Sequence, residues 1–132
     1  MDIAISQQSA RVPVTVFHIK GEIDAHTFEQ LQKLAQESFQ GGLRDLILDL
    51  SEVSYVSSAG LRAINNIFNL LRANAPGEDN VSLSKGLRDG TYKSHHLKLL
   101  NPQPAVFKVL DIAGVDMYLE VHQNLNDALA SF

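Results

Sequence analysis

The chain has 132 residues, of which 45% are hydrophobic, and a net charge of −4. That length suits one domain, 1–132, able to bury a core without metal or disulfide staples, and the hydrophobic share argues against disorder. The absence of cysteine excludes thiol chemistry and cysteine-bound metal, and the acidic balance leaves no footprint for nucleic acid.

No apolar run approaches the roughly 20 residues that span a bilayer. The opening MDIAISQQS lacks the basic segment and apolar core of a signal peptide. The expectation is a soluble, cytoplasmic protein with no membrane insertion.

Ile3 and Ile5 alternate with polar neighbours and predict a short edge strand. Arg11 to Lys20 is a stronger strand, carrying Val12, Val14, Val16, Phe17 and Ile19. Pro13 suits its first residues, and Gly21 closes the run. Gly21 to Thr27 reads as a loop into a helix. Thr27 with Gln30 matches a capping box, in which each side chain takes a backbone N–H at the helix start. Phe28, Leu31, Leu34 and Ala35 form the apolar stripe, and Gly41-Gly42 ends the helix.

The next stretch, RDLILDLSEVSYVSSAGLRAINNIFNLLR from Arg44 to Arg72, organises the chain. Leu46, Ile47, Leu48 and Leu50 predict a short strand buried on both faces. A polar turn and then Ser57-Ser58 follow. Leu61, Ile64, Ile67, Phe68 and Leu71 recur at helical spacing. Asn74 to His96 shows no period and contains Pro76, Gly77, Gly86 and Gly90, which predicts a loop of unusual length for a small domain.

Order resumes with a strand at Leu97–Leu100. Pro102 and Pro104 mark a helix start. Val106, Phe107, Val109, Leu110 and Ala113 give its apolar face, and Gly114 caps it. Val115 to Val121 reads as a last strand, and Asn124 caps a short helix with Leu125, Ala128, Leu129 and Phe132. Strands alternating with helices predict an α/β fold: a mixed sheet of four to five strands flanked by about four helices, its first two strands antiparallel and the later ones parallel.

The chemistry on offer is sparse. His18, His26, His95, His96 and His122 show no metal-ligand spacing. There is no phosphate-cradling glycine loop and no G-x-S-x-G elbow. A serine nucleophile needs a base in hydrogen-bond reach, and His26 is the one loosely plausible base, with nothing in the sequence to fix it near Ser58. Asp24 and Asp49 both fall near expected strand ends, where they could converge. No enzyme activity, metal or cofactor is expected.

The serine pair carries two readings. One hydroxyl at a helix start accepts a hydrogen bond from an unpaired N–H, a cap worth ~1 kcal/mol. One serine suffices for that. The second, followed by small Ala59 and Gly60, stands where a phosphate is tolerated by the helix dipole and the remaining N–H groups. The helix's outer row of Arg62, Asn65, Asn66, Asn69 and Arg72 is either a solvated face or a partner-binding face running down from the serines. Asparagine is a weak helix former, and a plain solvated face more often carries Glu, Lys or Gln.

These residues bring a family into view. DLSEVSYVSSAGLR, from Asp49 to Arg62, resembles the signature of STAS domains of the type found in bacterial anti-sigma factor antagonists, and GEIDAHT, from Gly21 to Thr27, resembles the family's second characteristic loop. The order of elements agrees across nearly the whole chain. The resemblance implies no catalysis of the domain's own and a partner switch in signal transduction and transcription regulation. In the family an anti-sigma factor with serine kinase activity phosphorylates a serine at the start of the second helix and lets go of the phosphoprotein, and a serine phosphatase restores binding.

Ser58 aligns with that serine and Asp24 with the acidic residue of the neighbouring loop. The resemblance implies phosphorylation at Ser58, or alternatively Ser57, and a partner surface of Asp24, Ser57, Ala59, Gly60, Arg62, Asn65, Asn66 and Asn69. Two departures stand out. Ser57 occupies a position where the family often has Asp, and the loop at 74–96 is long. Both leave room for an alternative: a constitutive STAS scaffold or accessory subunit of a transporter or stress-sensing complex.

Overall fold

The computed structural model describes residues 1–73, 86, 88 and 92–132. Five strands form one sheet in the order β1 (Asp2–Ser9), β2 (Pro13–Ile23), β3 (Leu46–Val56), β4 (Leu97–Leu100) and β5 (Glu120–His122). β1 and β2 are antiparallel, and every later pair is parallel. Four helices are described end to end: α1 (Phe28–Gln40), α2 (Ser58–Arg72), α3 (Pro104–Ile112) and α4 (Leu125–Ala130).

This order dictates the layering. From β2 to β5 the chain steps across the sheet in one direction, and parallel crossovers are right-handed. The helices between those strands therefore pack on one face. There Leu46, Leu48 and Leu50 of β3 meet Leu31 of α1, Ile64 and Ile67 of α2 and Leu110 of α3. α4 follows β5 and folds onto the opposite face, where Ala128 packs with Val14, Val16, Ile47 and Leu100. β3, with leucines to one side and Ile47 to the other, is buried on both faces as its apolar run predicts.

Several boundaries differ from the sequence reading. β2 does not stop at Gly21, and β3 does not give way to a polar turn after Leu50. Both run on to Ile23 and Val56. Two register shifts, between His18 and Lys20 and between Gly21 and Glu22, let β3 carry extra residues opposite β2. Such bulges keep a strand paired while re-aiming its side chains, so Val53 and Val56 still reach the core. Gly21 takes φ +115°, a conformation glycine alone adopts cheaply.

Val115 to Val121 is not one strand. Val115–Met117 forms a 3₁₀ turn, and only Glu120–His122 is β5. The buried pair here is Val115 and Leu119, four apart, which is helical rather than alternating spacing. The predicted long loop, 74–96, lies largely outside the described residues. Within it Gly86 and Arg88 have helical backbone.

Candidate functional site at the start of the second helix

The ends of β2 and β3 meet at the first turn of α2. Val56 closes β3 against Ile23 of β2. The Ser57 N–H then donates to the Ile23 carbonyl at 3.0 Å. Ser57 is extended, φ −86° and ψ 177°, as an N-cap requires, and its Oγ accepts from the Gly60 N–H at 3.2 Å. Its carbonyl accepts from the Leu61 N–H at 2.9 Å. Ser57 thus spends its hydroxyl and both backbone groups on holding the helix start.

Ser58 is the first residue of α2 and is exposed, and among the described residues no partner engages its hydroxyl. The cap and the open hydroxyl, which the sequence left undivided between the two serines, fall to Ser57 and Ser58 respectively. Gly60 is buried beneath them. A Cβ there would stand 2.3 Å from the Ile23 carbonyl oxygen, so the close approach of α2 to β2 requires glycine. Gly60 is thus buried under the turn, its N–H bonded to the Ser57 hydroxyl.

The neighbouring loop is tied inward. The Asp24 carboxylate accepts the His26 N–H at 2.9 Å, and that bond holds the carboxyl below its usual range. Thr27 has the αR backbone φ −119°, ψ −15°, not the extended N-cap form, and no capping box forms. Its hydroxyl instead accepts the Asp24 N–H at 2.9 Å and donates to the Glu22 carbonyl at 2.7 Å, while the Gln30 amide reaches the Met1 carbonyl. His26 is exposed and serves the loop through its backbone.

The outer row of α2 is exposed but divided. Asn66 donates to Gln32 of α1 at 2.9 Å. Asn65 accepts the Tyr118 hydroxyl at 3.2 Å, and the Tyr118 ring leans on Phe68. Asn69 accepts from the Arg72 Nε at 3.2 Å. The asparagines thus border α1 on one side and the turn before β5 on the other. Arg62 lies between them, four residues from Ser58 and on its face of the helix. Ala59 is half-buried.

Asp24 and Asp49 do not converge. Asp49 lies mid-strand opposite His18, far from the β2 end. There the structure assembles a group that sequence reasoning missed: Ser6, His18 and Asp49 are hydrogen-bonded in series. On the same face fully buried Lys98 pairs with Glu120, which also bonds His122. Alternation along β2, which places His18 beyond Val14 and Val16, was the one available signal. Among the described residues no three His, Asp or Glu converge as metal ligands, and no helix is long and apolar enough to cross a membrane. A cleft of about 590 Å³ opens beside Thr15, Leu43, Arg44 and Asp45, at the strand ends opposite the serines.

A search of curated protein sequences found no match. Among solved structures, an anti-sigma factor antagonist from Mycobacterium paratuberculosis superposes with a TM-score of 0.69 at 20% identity, over 98% of this chain and 93% of that one. The antagonist SpoIIAA in its unphosphorylated form gives 0.59 at 19% identity, over 96% and 93%. The phosphorylated form of the Bacillus cell fate determinant SpoIIAA gives 0.59 at 21% identity, over 95% and 96%. These identities speak to fold alone. The family model of the STAS domain matches residues 6–75, more than half of the sequence, and that segment runs from β1 through the serine junction and the whole of α2. The chain belongs to the STAS domain family.

Proposed function

We propose that this domain is an anti-sigma factor antagonist-like switch. Unphosphorylated, it binds an anti-sigma factor that is also its serine kinase. Phosphorylation of Ser58 releases that partner, and a serine phosphatase resets the site. The observation that carries the reading is the division of labour at α2: Ser57 is committed to the cap, while Ser58 stands exposed one residue on. Loss of the acidic residue before the target serine is then understandable, because Ser57 supplies the capping oxygen that Asp would supply.

The switch needs no change of fold. A phosphate brings about −1.5 to −2 charges at neutral pH, and the first turn of a helix favours negative charge. Release comes from the partner side, where the added charge must be desolvated or repelled. A penalty of ~4 kcal/mol weakens binding about a thousandfold. Partner switching itself asks no catalysis of this chain.

The test is affinity capture from native cells followed by titration of the captured kinase-like ATPase. Ser58→Ala binds constitutively, and Ser58→Asp binds more weakly. Equal binding by both variants and the wild type would sink the switch. Capture of a transporter subunit instead would move the assignment to an accessory STAS subunit.

A further inference from the structure

The sheet face that carries α4 is only partly covered. Val14, Val16 and Ile47 lie under α4, whereas His18 and Asp49, next along the same strands and on the same face, do not. The His18 side chain is 41% exposed and that of Asp49 16%. Ser6 reaches His18 from the edge strand β1: its Oγ is 3.0 Å from Nε2. His18 Nδ1 is 2.8 Å from Asp49 Oδ2, and the Ser51 N–H steadies the other carboxylate oxygen at 3.1 Å.

An ionised carboxylate only accepts, so Asp49 fixes the proton of neutral His18 on Nδ1. Nε2 is then left as an acceptor facing the Ser6 hydroxyl. Nucleophile, base and orienting group stand in the order and at the distances that activate a serine. We infer that Ser6 is an activated nucleophile that takes acyl groups from small activated esters at the open face of the sheet.

In the step, Ser6 Oγ attacks the ester carbonyl carbon and its proton passes to His18 Nε2. The C–O bond to the leaving group breaks, the leaving oxygen departs with the electron pair, and the imidazolium proton goes to it or to water. Acyl-Ser6 remains, and water with His18 as base removes it. Asp49 stays ionised and acts as a positioning residue. Because the face is open, water solvates the tetrahedral oxyanion, which confines the centre to esters whose leaving groups are good. This chemistry is independent of the state of Ser58.

The experiment incubates the full chain with p-nitrophenyl acetate, follows p-nitrophenolate release and maps acetylated peptides. The expected result is acetyl on Ser6 in the native chain, none there in the urea-unfolded chain, and loss of the rapid phase in Ser6→Ala. His18→Gln slows acetylation about a hundredfold, the usual share of a general base. Asp49→Asn slows it about tenfold or more and removes the hydrogen-bonded Nδ1–H resonance of His18 from the proton spectrum, which loss of packing alone would not single out. Acetyl confined to lysines and the amino terminus, or an undiminished rate in a folded His18→Gln, would overturn the assignment. The wild-type peptide map decides the matter even where a variant fails to fold.

Discussion

The two serine sites of this molecule are built in opposite ways. At the start of α2 the contacts are short in sequence: Ser57 bonds Gly60 and Leu61, and the one long-range bond is to the Ile23 backbone. On the open sheet face the links that join Ser6, His18 and Asp49 are long, 12 positions apart in sequence for Ser6 and His18 and 31 for His18 and Asp49. The first site is held mainly by backbone bonds, with one capping hydroxyl from Ser57. The second is held by side chains that water can partly replace. The junction should therefore be stiff and exposed at one hydroxyl only, and the face should be softer and sensitive to protonation.

Gly60→Ala is the strongest way to break that contrast. The new methyl would meet a carbonyl of β2 at 2.3 Å, so strand or helix must move. Overpacking costs 1–3 kcal/mol, and a backbone obstacle puts this case at about 3 kcal/mol, read from the urea midpoint at unchanged slope. Lys98→Met tests the face. It removes the ammonium from Glu120, from the Ser131 carbonyl and from above the Phe132 ring. Breaking a buried pair costs 3–5 kcal/mol, but Glu120 is partly exposed and rehydrates, so about 2 kcal/mol is expected. A larger loss in Lys98→Met than in Gly60→Ala would reverse the ranking of the two regions.

The same contrast explains what could be read from sequence. Helical spacing from Leu61 to Leu71 and the serines before it are local signals, and the cap appeared where they placed it. Asn124 likewise caps α4, its side chain accepting the Asp127 N–H. The glycine at 60 gave no sign of its real duty, because the Ile23 carbonyl reaches it only through strand pairing with two bulges. Thr27-Gln30 has the letters of a capping box, yet the hydroxyl is drawn back by Glu22 and Asp24. The Ser6 series needed the register of three strands at once, which no local period encodes.

The serine pair sharpens the division at the junction. Ser57→Ala removes the cap bond to Gly60 and should cost ~1 kcal/mol. Ser58→Ala, at an exposed position, should stay within about 0.5 kcal/mol of wild type. Equal losses in thermal melts of the two variants would mean that the cap is shared, and the case for Ser58 as the unoccupied hydroxyl would go with it.

The smallest effect expected is the acid dependence of the open face. Burial pushes the Asp49 carboxyl up, but the hydrogen bonds from His18 and Ser51 outweigh it and leave the group below its ordinary value of 3.8. The folded carboxyl therefore holds its proton less tightly than the unfolded one. Its contribution is complete above the ordinary aspartate range and is lost as pH falls through 3.8 toward the lower folded value, because the unfolded chain takes up the proton first. Glu120, depressed by Lys98 against its own burial, adds a loss of the same sign below 4.5. Asp49→Asn should flatten the fall in stability below pH 4 and leave the profile near neutrality parallel to wild type. An unchanged acid limb in that variant would show that the His18 bond is too well replaced by water to orient anything, and would count against both the protonation sensitivity of this face and the activation of Ser6.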